Sequence, residues 1–141
     1  MAYGGLRVSE AVNIKIDDIN LKSRELVVRN GKGEKSRAVF LNDKIVNAVK
    51  SYLKERDRES EFLFVSRQNN KVSRSRINQI FNKHSEVITP HSLRHFYCTN
   101  ALEKGFSIHE VANQAGHSNI HTTMIYTNPS IEEMKEKANK L

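Results

Sequence analysis

The chain has 141 residues, the length of one domain with room for a real hydrophobic core. Its net charge of +7 favours a polyanionic partner such as nucleic acid. No apolar run approaches the ~18 residues of a membrane span, and no signal peptide is visible, which argues against a membrane protein. The one cysteine, Cys98, cannot form an internal disulfide, so a reducing cytoplasm is the expected compartment and a core position the expected role.

The first predicted element is a short helix over residues 8–14, because Val8, Ala11 and Val12 recur at helical spacing. Arg7 stands at its entry and Glu10 follows one turn later. We expect Glu10 to orient Arg7 or to brace the following loop. The alternative is an acid placed in the first turn because the helix dipole favours it.

A change to strand-like patterning follows, with apolar runs at residues 26–28 and 38–41. Between them, Asn30-Gly31-Lys32-Gly33 predicts a β-hairpin turn. A strand near residues 19–21 would complete a small antiparallel sheet of three strands. Lys32 lies between two glycines, so its turn can move and project the side chain, although a lysine at an exposed turn is also common.

Asn42 predicts the cap of an amphipathic helix that runs to about Arg56. After it, residues 62–65 form a short buried strand or an extended link. The apolar face of the helix consists of Ile45, Val46, Val49, Tyr52 and Leu53.

The next segment, residues 62–85, contains basic side chains and no acid. Ser73 predicts a helix cap, with Ile77, Ile80 and Phe81 as the buried face of the helix. A stripe of one charge sign is usually a solvated face, but such a face usually mixes signs. We therefore expect a DNA-facing helix that contacts the phosphate backbone and the groove. The basic residues of the segment are Arg67, Lys71, Arg74, Arg76 and Lys83.

Three short helices are predicted in the last third of the chain. Thr89-Pro90 starts the first, and His91 and Arg94 share one of its faces. Gly105 predicts its end, and Ser107 caps a second helix that ends at Gly116. We expect His117 on the following tight turn and Ser118 as the cap of a third helix that carries Tyr126. An arginine, two imidazoles and a phenol in one place can bind a phosphate and attack it.

These residues carry a resemblance to a known family. His91-x-x-Arg94, Gly116-His117-Ser118 and Thr122-Thr123-x-x-Tyr126 resemble the C-terminal signature of the tyrosine recombinases, the lambda-integrase-like family. Residues 3–10, Tyr-Gly-Gly-Leu-Arg-Val-Ser-Glu, resemble its first-arginine box, and residues 31–37 its β-hairpin lysine turn. The match covers nearly the whole chain in the order of the family, and is closest to transposon- and phage-borne members.

The resemblance implies a site-specific recombinase that cuts and rejoins double-stranded DNA through a 3′-phosphotyrosyl intermediate. Neither ATP nor a metal nor another cofactor is implied, because the bond energy is conserved and side chains supply the positive charge. The implied roles are a phosphate clamp for Arg7 and Arg94, a hydrogen-bond donor for His117, the nucleophile for Tyr126, the base for His91 and the acid for Lys32.

Two other functions use the same residues. A type IB topoisomerase-like enzyme would nick and close DNA without pairing sites, and a binding module would hold DNA without cutting it. The complete catalytic set argues against the module. His91 and His95 could form a metal pair, but no H-E-x-x-H motif or nearby cysteine supports zinc, so His95 is expected on a helix face or behind the site. His109 and His121 are expected to be ordinary surface or packing residues.

The resemblance implies an α+β fold, predominantly helical, of the DNA breaking-rejoining type with a small antiparallel three-stranded sheet. Residues 1–141 are expected to be the catalytic domain of a longer protein, without its DNA-clamping domain and first catalytic-domain helix, because the chain begins abruptly at Met1-Ala-Tyr-Gly-Gly. The expected setting is the bacterial cytoplasm, at the nucleoid or a plasmid. A predicted tail helix, residues 130–141, has one apolar face that docks on another protomer or on its own domain: Ile131, Met134, Ala138 and Leu141.

Overall fold

A computed structural model of the protein describes residues 1–29, 36–127 and 131–140, and the backbone alone at 131–133. Seven helices and three strands occur in these ranges, so the fold is α+β and predominantly helical, as predicted. The helices are α1 (Val8–Ala11), α2 (Asp43–Glu55), α3 (Arg74–His84), α4 (Pro90–Glu103), α5 (Ile108–Ala115), α6 (His121–Met124) and α7 (Ile131–Ala138). The strands are β1 (Ile19–Asn20), β2 (Glu25–Val28) and β3 (Arg37–Phe40).

The three strands form one antiparallel sheet in the order β1-β2-β3. Leu26 lies opposite Val39 in the register, and Val28 lies opposite Arg37. Because side chains alternate across a sheet, Leu26, Val28 and Val39 point to one face and are buried there. That face packs against α2 through Val46, and the larger of two apolar cores forms between them.

The smaller core lies between α4 and α5 and consists of Cys98, Ala101, Val111 and Ala115. Cys98 is a fully buried free thiol, as the sequence predicts. Tyr126 packs against this core from the end of the described main segment. The core therefore fixes the distance between Tyr126 and α4.

Helix boundaries follow the predicted capping residues, because a cap is a local interaction. The side chains of Asn42, Ser73, Thr89 and Ser107 each accept a hydrogen bond from the backbone N–H three residues later. Pro90 occupies the first turn of α4. Gly116 ends α5 in a left-handed conformation with φ of 68°.

Two predictions about the elements were wrong. The helix after Arg7 ends at Ala11 rather than at Ile14, because the chain turns there into a 3₁₀ turn at Ile16–Asp18. Ser118 does not cap α6, which begins after Ile120 without a side-chain cap and ends before Tyr126. Of the two alternatives predicted for residues 62–65, the structure has the extended link, with isolated bridges from Phe62 to Lys15 and from Val65 to Lys71.

The apolar face of α3 is also less buried than the sequence predicts. Ile80 is 41% exposed, and no residue of α3 is fully buried. Ile77 and Phe81 face a groove that Leu6, Val12 and Leu93 line from the other side. The helix therefore covers an open apolar groove instead of closing a core.

Candidate functional site

A buried carboxylate shared by three arginines forms the centre of the site. Glu10 accepts two hydrogen bonds from the Arg37 guanidinium, at 2.8 and 3.0 Å, and one from the Arg7 guanidinium at 3.1 Å. The Arg94 guanidinium lies 3.9 Å from the same carboxylate. Burial opposes the charge on Glu10, but the hydrogen bonds from Arg37 and from the Arg7 backbone outweigh it, so the pKa of Glu10 lies below its ordinary value. Three guanidinium groups on one carboxylate leave an excess of positive charge.

Arg7 reaches from the start of α1 to the end of α5. Its Nη2 donates to the carbonyl of Gly116 at 2.8 Å, and its backbone N–H donates to Glu10 at 2.7 Å. The side chain remains 42% exposed, so the rest of its guanidinium is available to an anion. The Glu10 carboxylate thus contacts both the backbone and the guanidinium of Arg7, as the first of the three roles that the sequence leaves open requires.

Arg94 is held from the opposite side by the backbone of the first turn. Its Nη1 donates to the carbonyl of Gly5 at 2.6 Å, and its side chain is almost fully buried. Gly5 has φ of 63°, and a Cβ there would lie 2.6 Å from the Tyr97 ring. Only glycine fits this position, because both the conformation and the aromatic ring exclude a side chain. The Gly5 carbonyl can therefore approach Arg94 from beneath the cleft.

His117 follows the left-handed Gly116, as predicted, and its ring contacts α6. Its Nδ1 lies 2.7 Å from the Thr123 hydroxyl, which is fully buried. Burial, followed by the charges of Arg94 and Arg7, lowers the pKa of His117 to about 4. The imidazole is therefore neutral near pH 7. When Thr123 donates to Nδ1, the proton of the ring is on Nε2, from which it can be donated to a phosphate oxygen.

These side chains surround a shallow cleft of about 340 Å³. Basic and imidazole groups from three separate parts of the chain meet in its wall. Lys32 lies outside the described residues, and its role as the acid stays a prediction. The residues lining the cleft are Arg7, Val8, Ser9, Pro90, His91, Arg94, His117 and Thr122.

Tyr126 lies in the turn after α6, with its hydroxyl 2.5 Å from Nδ1 of His95. The Nε2 atom of His95 in turn meets Nε2 of His91. Burial is the main cause that raises the pKa of Tyr126 and lowers that of His95. In this state the phenol is protonated and the imidazole beside it is neutral. His91, the predicted base, reaches the phenol only through His95.

The predicted DNA-binding residues are all exposed, and they occupy α3 and the link before it. Lys71 donates to the side-chain oxygen of Asn13 at 2.7 Å, in the turn that follows α1. Arg76 donates to Gln79 at 3.3 Å within α3. The structure thus places Arg67, Lys71, Arg74, Arg76 and Lys83 on the surface.

Sequence reasoning assigned no role to Arg37, Thr123 or Gly5, and it expected His95 on a helix face or behind the site. A signal for Arg37 was available, because it directly precedes the predicted apolar run at residues 38–41 and stands two residues before the buried Val39. An arginine on the buried face of a strand requires a charged partner. The contacts of Thr123 and Gly5 join distant parts of the chain and leave no local pattern.

Within residues 1–29, 36–127 and 131–140, no three His, Cys, Asp or Glu side chains are close enough to hold a metal ion. No helix in these ranges is both long and apolar enough to cross a membrane.

Comparisons with known proteins assign the chain to a family. The model of the phage integrase family matches residues 1–133. The TnP I resolvase of Bacillus thuringiensis is 56% identical over 142 residues, which cover 97% of this chain and 50% of the resolvase. The chain thus spans about half the length of the curated relatives it matches.

Two solved structures extend the comparison to the fold. The crystal structure of XerA recombinase superposes with a TM-score of 0.82 at 33% identity, over 99% of this chain and 54% of that one. The site-specific recombinase XerH, bound to its difH substrate, superposes with a TM-score of 0.77 at 27% identity, over 97% and 43%. On its sequence and its fold, this chain belongs to the phage integrase family, the tyrosine recombinases.

Proposed function

We propose that the chain is the catalytic domain of a site-specific DNA recombinase that cuts and rejoins double-stranded DNA through a 3′-phosphotyrosyl intermediate. The observation that carries the proposal is a phenol positioned beside a cationic cleft of about 340 Å³. The hydroxyl of Tyr126 contacts an imidazole, and Arg7, Arg94 and His117 line the neighbouring cleft. The names of the relatives, a resolvase and site-specific recombinases, favour recombination over other uses of this chemistry.

In the proposed reaction, Arg7 and Arg94 bind the non-bridging oxygens of one phosphodiester. His117 donates a further hydrogen bond to the same oxygens. These donors stabilise the negative charge that the non-bridging oxygens carry in the transition state, and each is worth on the order of 3 kcal/mol of transition-state stabilisation. The donors are preorganised because Glu10 and the carbonyls of Gly5 and Gly116 hold the guanidinium groups before DNA binds.

The oxygen of Tyr126 attacks the phosphorus, forms the tyrosyl–phosphate bond and releases the 5′ oxygen of the next nucleotide. The phenol loses a proton to an imidazole, and the 5′ oxygen gains one, for which Lys32 is the proposed acid. A 5′ hydroxyl then attacks the phosphotyrosine and reverses these transfers. The phosphodiester energy is retained throughout, so the reaction consumes no ATP, and the guanidinium groups supply the positive charge that a metal would supply elsewhere.

We also assign DNA contacts to the exposed basic residues of α3 and its preceding link. A DNA duplex with one phosphate bound in the cleft extends beyond the cleft in both directions. Binding its other phosphates requires further cationic surface on the protein. Arg67, Lys71, Arg74, Arg76 and Lys83 offer such a surface. They position the duplex without reading its sequence where they contact phosphates.

A second protomer is the proposed partner of the tail helix. The described side chains of α7 are all exposed, and Met134 is 57% exposed. A helix of eight residues is marginal alone, so its apolar side needs a partner. Removal of residues 130–141 should weaken recombination between two sites more than cleavage of one site. Equal loss in the two assays would instead assign the tail to its own domain.

The proposed function is tested with a nicked suicide substrate that traps the covalent DNA–protein adduct. The full-length protein should form the adduct, and peptide mapping should place the DNA on Tyr126. Tyr126→Phe should abolish the adduct and leave DNA affinity nearly unchanged, because only the nucleophilic oxygen is removed. Tyr52→Phe, at an exposed tyrosine of α2, is the matched control and should retain the adduct.

A plasmid with two cognate sites separates the alternative functions. Recombinant products support the recombinase, and relaxation without recombinants would indicate a topoisomerase-like enzyme. Binding with no adduct would indicate a module that holds DNA without cutting it. An adduct that survives in Tyr126→Phe would remove Tyr126 from the nucleophile role.

A further inference from the structure

His95 lies between the nucleophile and the histidine that faces the cleft. Its Nδ1 is 2.5 Å from the Tyr126 hydroxyl, and its Nε2 meets Nε2 of His91. The centroids of the His91 and His95 rings lie 4.1 Å apart, because the two residues are one helical turn apart on α4. The two rings are perpendicular to each other. A phenol and two imidazoles therefore form one continuous chain of hydrogen bonds.

The direction of these hydrogen bonds follows from the donors that are present. A protonated phenol beside a neutral imidazole donates to the unprotonated nitrogen, so Nδ1 of His95 is the acceptor. The proton of the neutral His95 ring is then on Nε2, from which it is donated to Nε2 of His91. Each of the two histidines thus has one nitrogen that can receive a proton from the direction of Tyr126.

We propose that His95 is the catalytic base that takes the proton of Tyr126, and that His91 is the second member of a proton relay. This assignment rests on the proposed function. It differs from a direct transfer to His91, because no hydrogen bond joins Tyr126 and His91 among the contacts of the described residues.

The proton balance of the relay is simple. As the oxygen–phosphorus bond forms, the Tyr126 proton moves to Nδ1 of His95, and the Nε2 proton of His95 moves to Nε2 of His91. His95 ends neutral with its proton on the other nitrogen, and His91 carries the positive charge. When the 5′ hydroxyl attacks the phosphotyrosine, both transfers run backwards and Tyr126 recovers its proton.

The surroundings of His95 explain why a relay is useful. The cationic Arg94 lies on the same helix, and His117 and Tyr126 approach from the α5–α6 turn and from the segment after α6. Burial, a charge on His91 and the charge of Arg94 each disfavour a positive charge that stays on His95. His91 is exposed and lines the cleft, so a charge placed there is closer to solvent and to the bound phosphate.

Chemical rescue distinguishes a base from a residue that only supports the site. His95→Ala should slow adduct formation on the suicide substrate by about 100-fold or more, the usual contribution of general base catalysis. DNA affinity should change by less than about twofold, because His95 does not line the cleft. Added imidazole should recover at least about tenfold of the rate, and imidazoles of higher pKa should recover more.

His95→Asn supplies a second variant that keeps an acceptor near the position of Nδ1. If His95 only orients Tyr126 through a hydrogen bond, His95→Asn should cleave at nearly the normal rate, and this result would overturn the relay. If His95 accepts the proton, His95→Asn should be as slow as His95→Ala, because an amide is not a base. His109→Ala, at an exposed histidine of α5, is the matched control and should behave as the parent protein in every assay.

His91→Ala sets the order of the two histidines. The relay predicts a smaller defect than that of His95→Ala, because solvent can replace the second acceptor. A defect of about 100-fold in His91→Ala that imidazole rescues, with less than about threefold in His95→Ala, would make His91 the direct base and overturn the proposal. A parent protein that forms no adduct at all would instead overturn the proposed function, and the relay with it.

Discussion

Arg37 lies behind the cleft and holds the residues that form its wall. It makes two hydrogen bonds to Glu10 and donates through Nε to the carbonyl of Gln114 at 3.0 Å. A Cβ on Gly116 would lie 2.5 Å from its guanidinium carbon, so the turn before His117 closes directly over Arg37. One side chain from the sheet thus fixes the positions of Arg7, through Glu10, and of His117.

The first prediction concerns the ion pair between Arg37 and Glu10. Arg37→Met should lower the free energy of unfolding by about 3 kcal/mol, because it leaves the buried Glu10 without its main partner. Cleavage should fall more than DNA affinity, since Arg7 loses its support. Urea denaturation and the suicide-substrate rate measure the two effects.

Lys15→Met is the control for Arg37→Met, because Lys15 forms an ion pair with Glu61 in which both side chains are exposed. Its effect on unfolding should stay below about 1 kcal/mol. If the two variants are equally stable, Arg37 is not the support of the site.

At the scale of elements, α3 differs from α2 in charge. The segment that contains α3 carries five basic residues and no acid, whereas α2 carries both signs. Both helices are amphipathic, but α3 has no buried residue and presents Arg74 and Arg76 to solvent. A helix that has no buried residue and carries charges of one sign is suited to a surface that DNA covers.

The second prediction follows from counterion release. Neutralising Arg74 and Arg76 with glutamine should reduce the slope of log K against log salt by about two units if both contact phosphates. The measurement is a salt titration of DNA binding by the full-length protein. Lys50 and Lys54 of α2, changed to glutamine together, alter the net charge by the same amount and serve as the control. Equal slopes for the two double variants would indicate that α3 presents an ordinary solvated face and does not contact phosphates.

The success of prediction from sequence also varies from element to element. Thr89 and Ser107 predict where their helices begin, because the side chain of a capping residue accepts a hydrogen bond from the backbone N–H three residues later. Ser118 has the same chemistry but caps nothing, because the chain continues through a turn before α6 begins. The short motifs around Arg7, Arg94, His117 and Tyr126 predict which side chains meet. The placement of His95 between Tyr126 and His91 depends on how α4 and α6 pack, and that packing has no local signal.

For the whole molecule, pH acts on stability through the imidazoles of the site. The folded pKa of His117 is about 4 against an ordinary 6.5, so between these values the unfolded chain binds a proton that the folded chain does not. The contribution of His117 is therefore complete above about pH 6.5 and is lost as the pH falls towards 4. His95 acts in the same direction, since its pKa is also lowered.

The third prediction is that the free energy of unfolding falls between about pH 7 and pH 5, and that His117→Gln reduces this dependence. The stabilisation that Glu10 provides is complete above its ordinary pKa of 4.5 and is lost only below it, so the effect of the histidines is measured above that value. Urea titrations at several pH values provide the measurement, and His121→Gln, at an exposed histidine, is the control. An unchanged pH dependence in His117→Gln would contradict the half-buried, neutral state of His117.

The arginines of the cleft are held by backbone carbonyls that are distant in sequence. Arg7 bonds to a carbonyl 109 positions away, and Arg94 to one 89 positions away. Contacts of such high contact order close late in folding, after local helices and hairpins have formed. A newly synthesised or partly unfolded chain therefore keeps Arg7 apart from Gly116 and Arg94 apart from Gly5. The proposed cleavage of DNA thus becomes possible only in a molecule that has finished folding, because the cleft does not exist before these two contacts form.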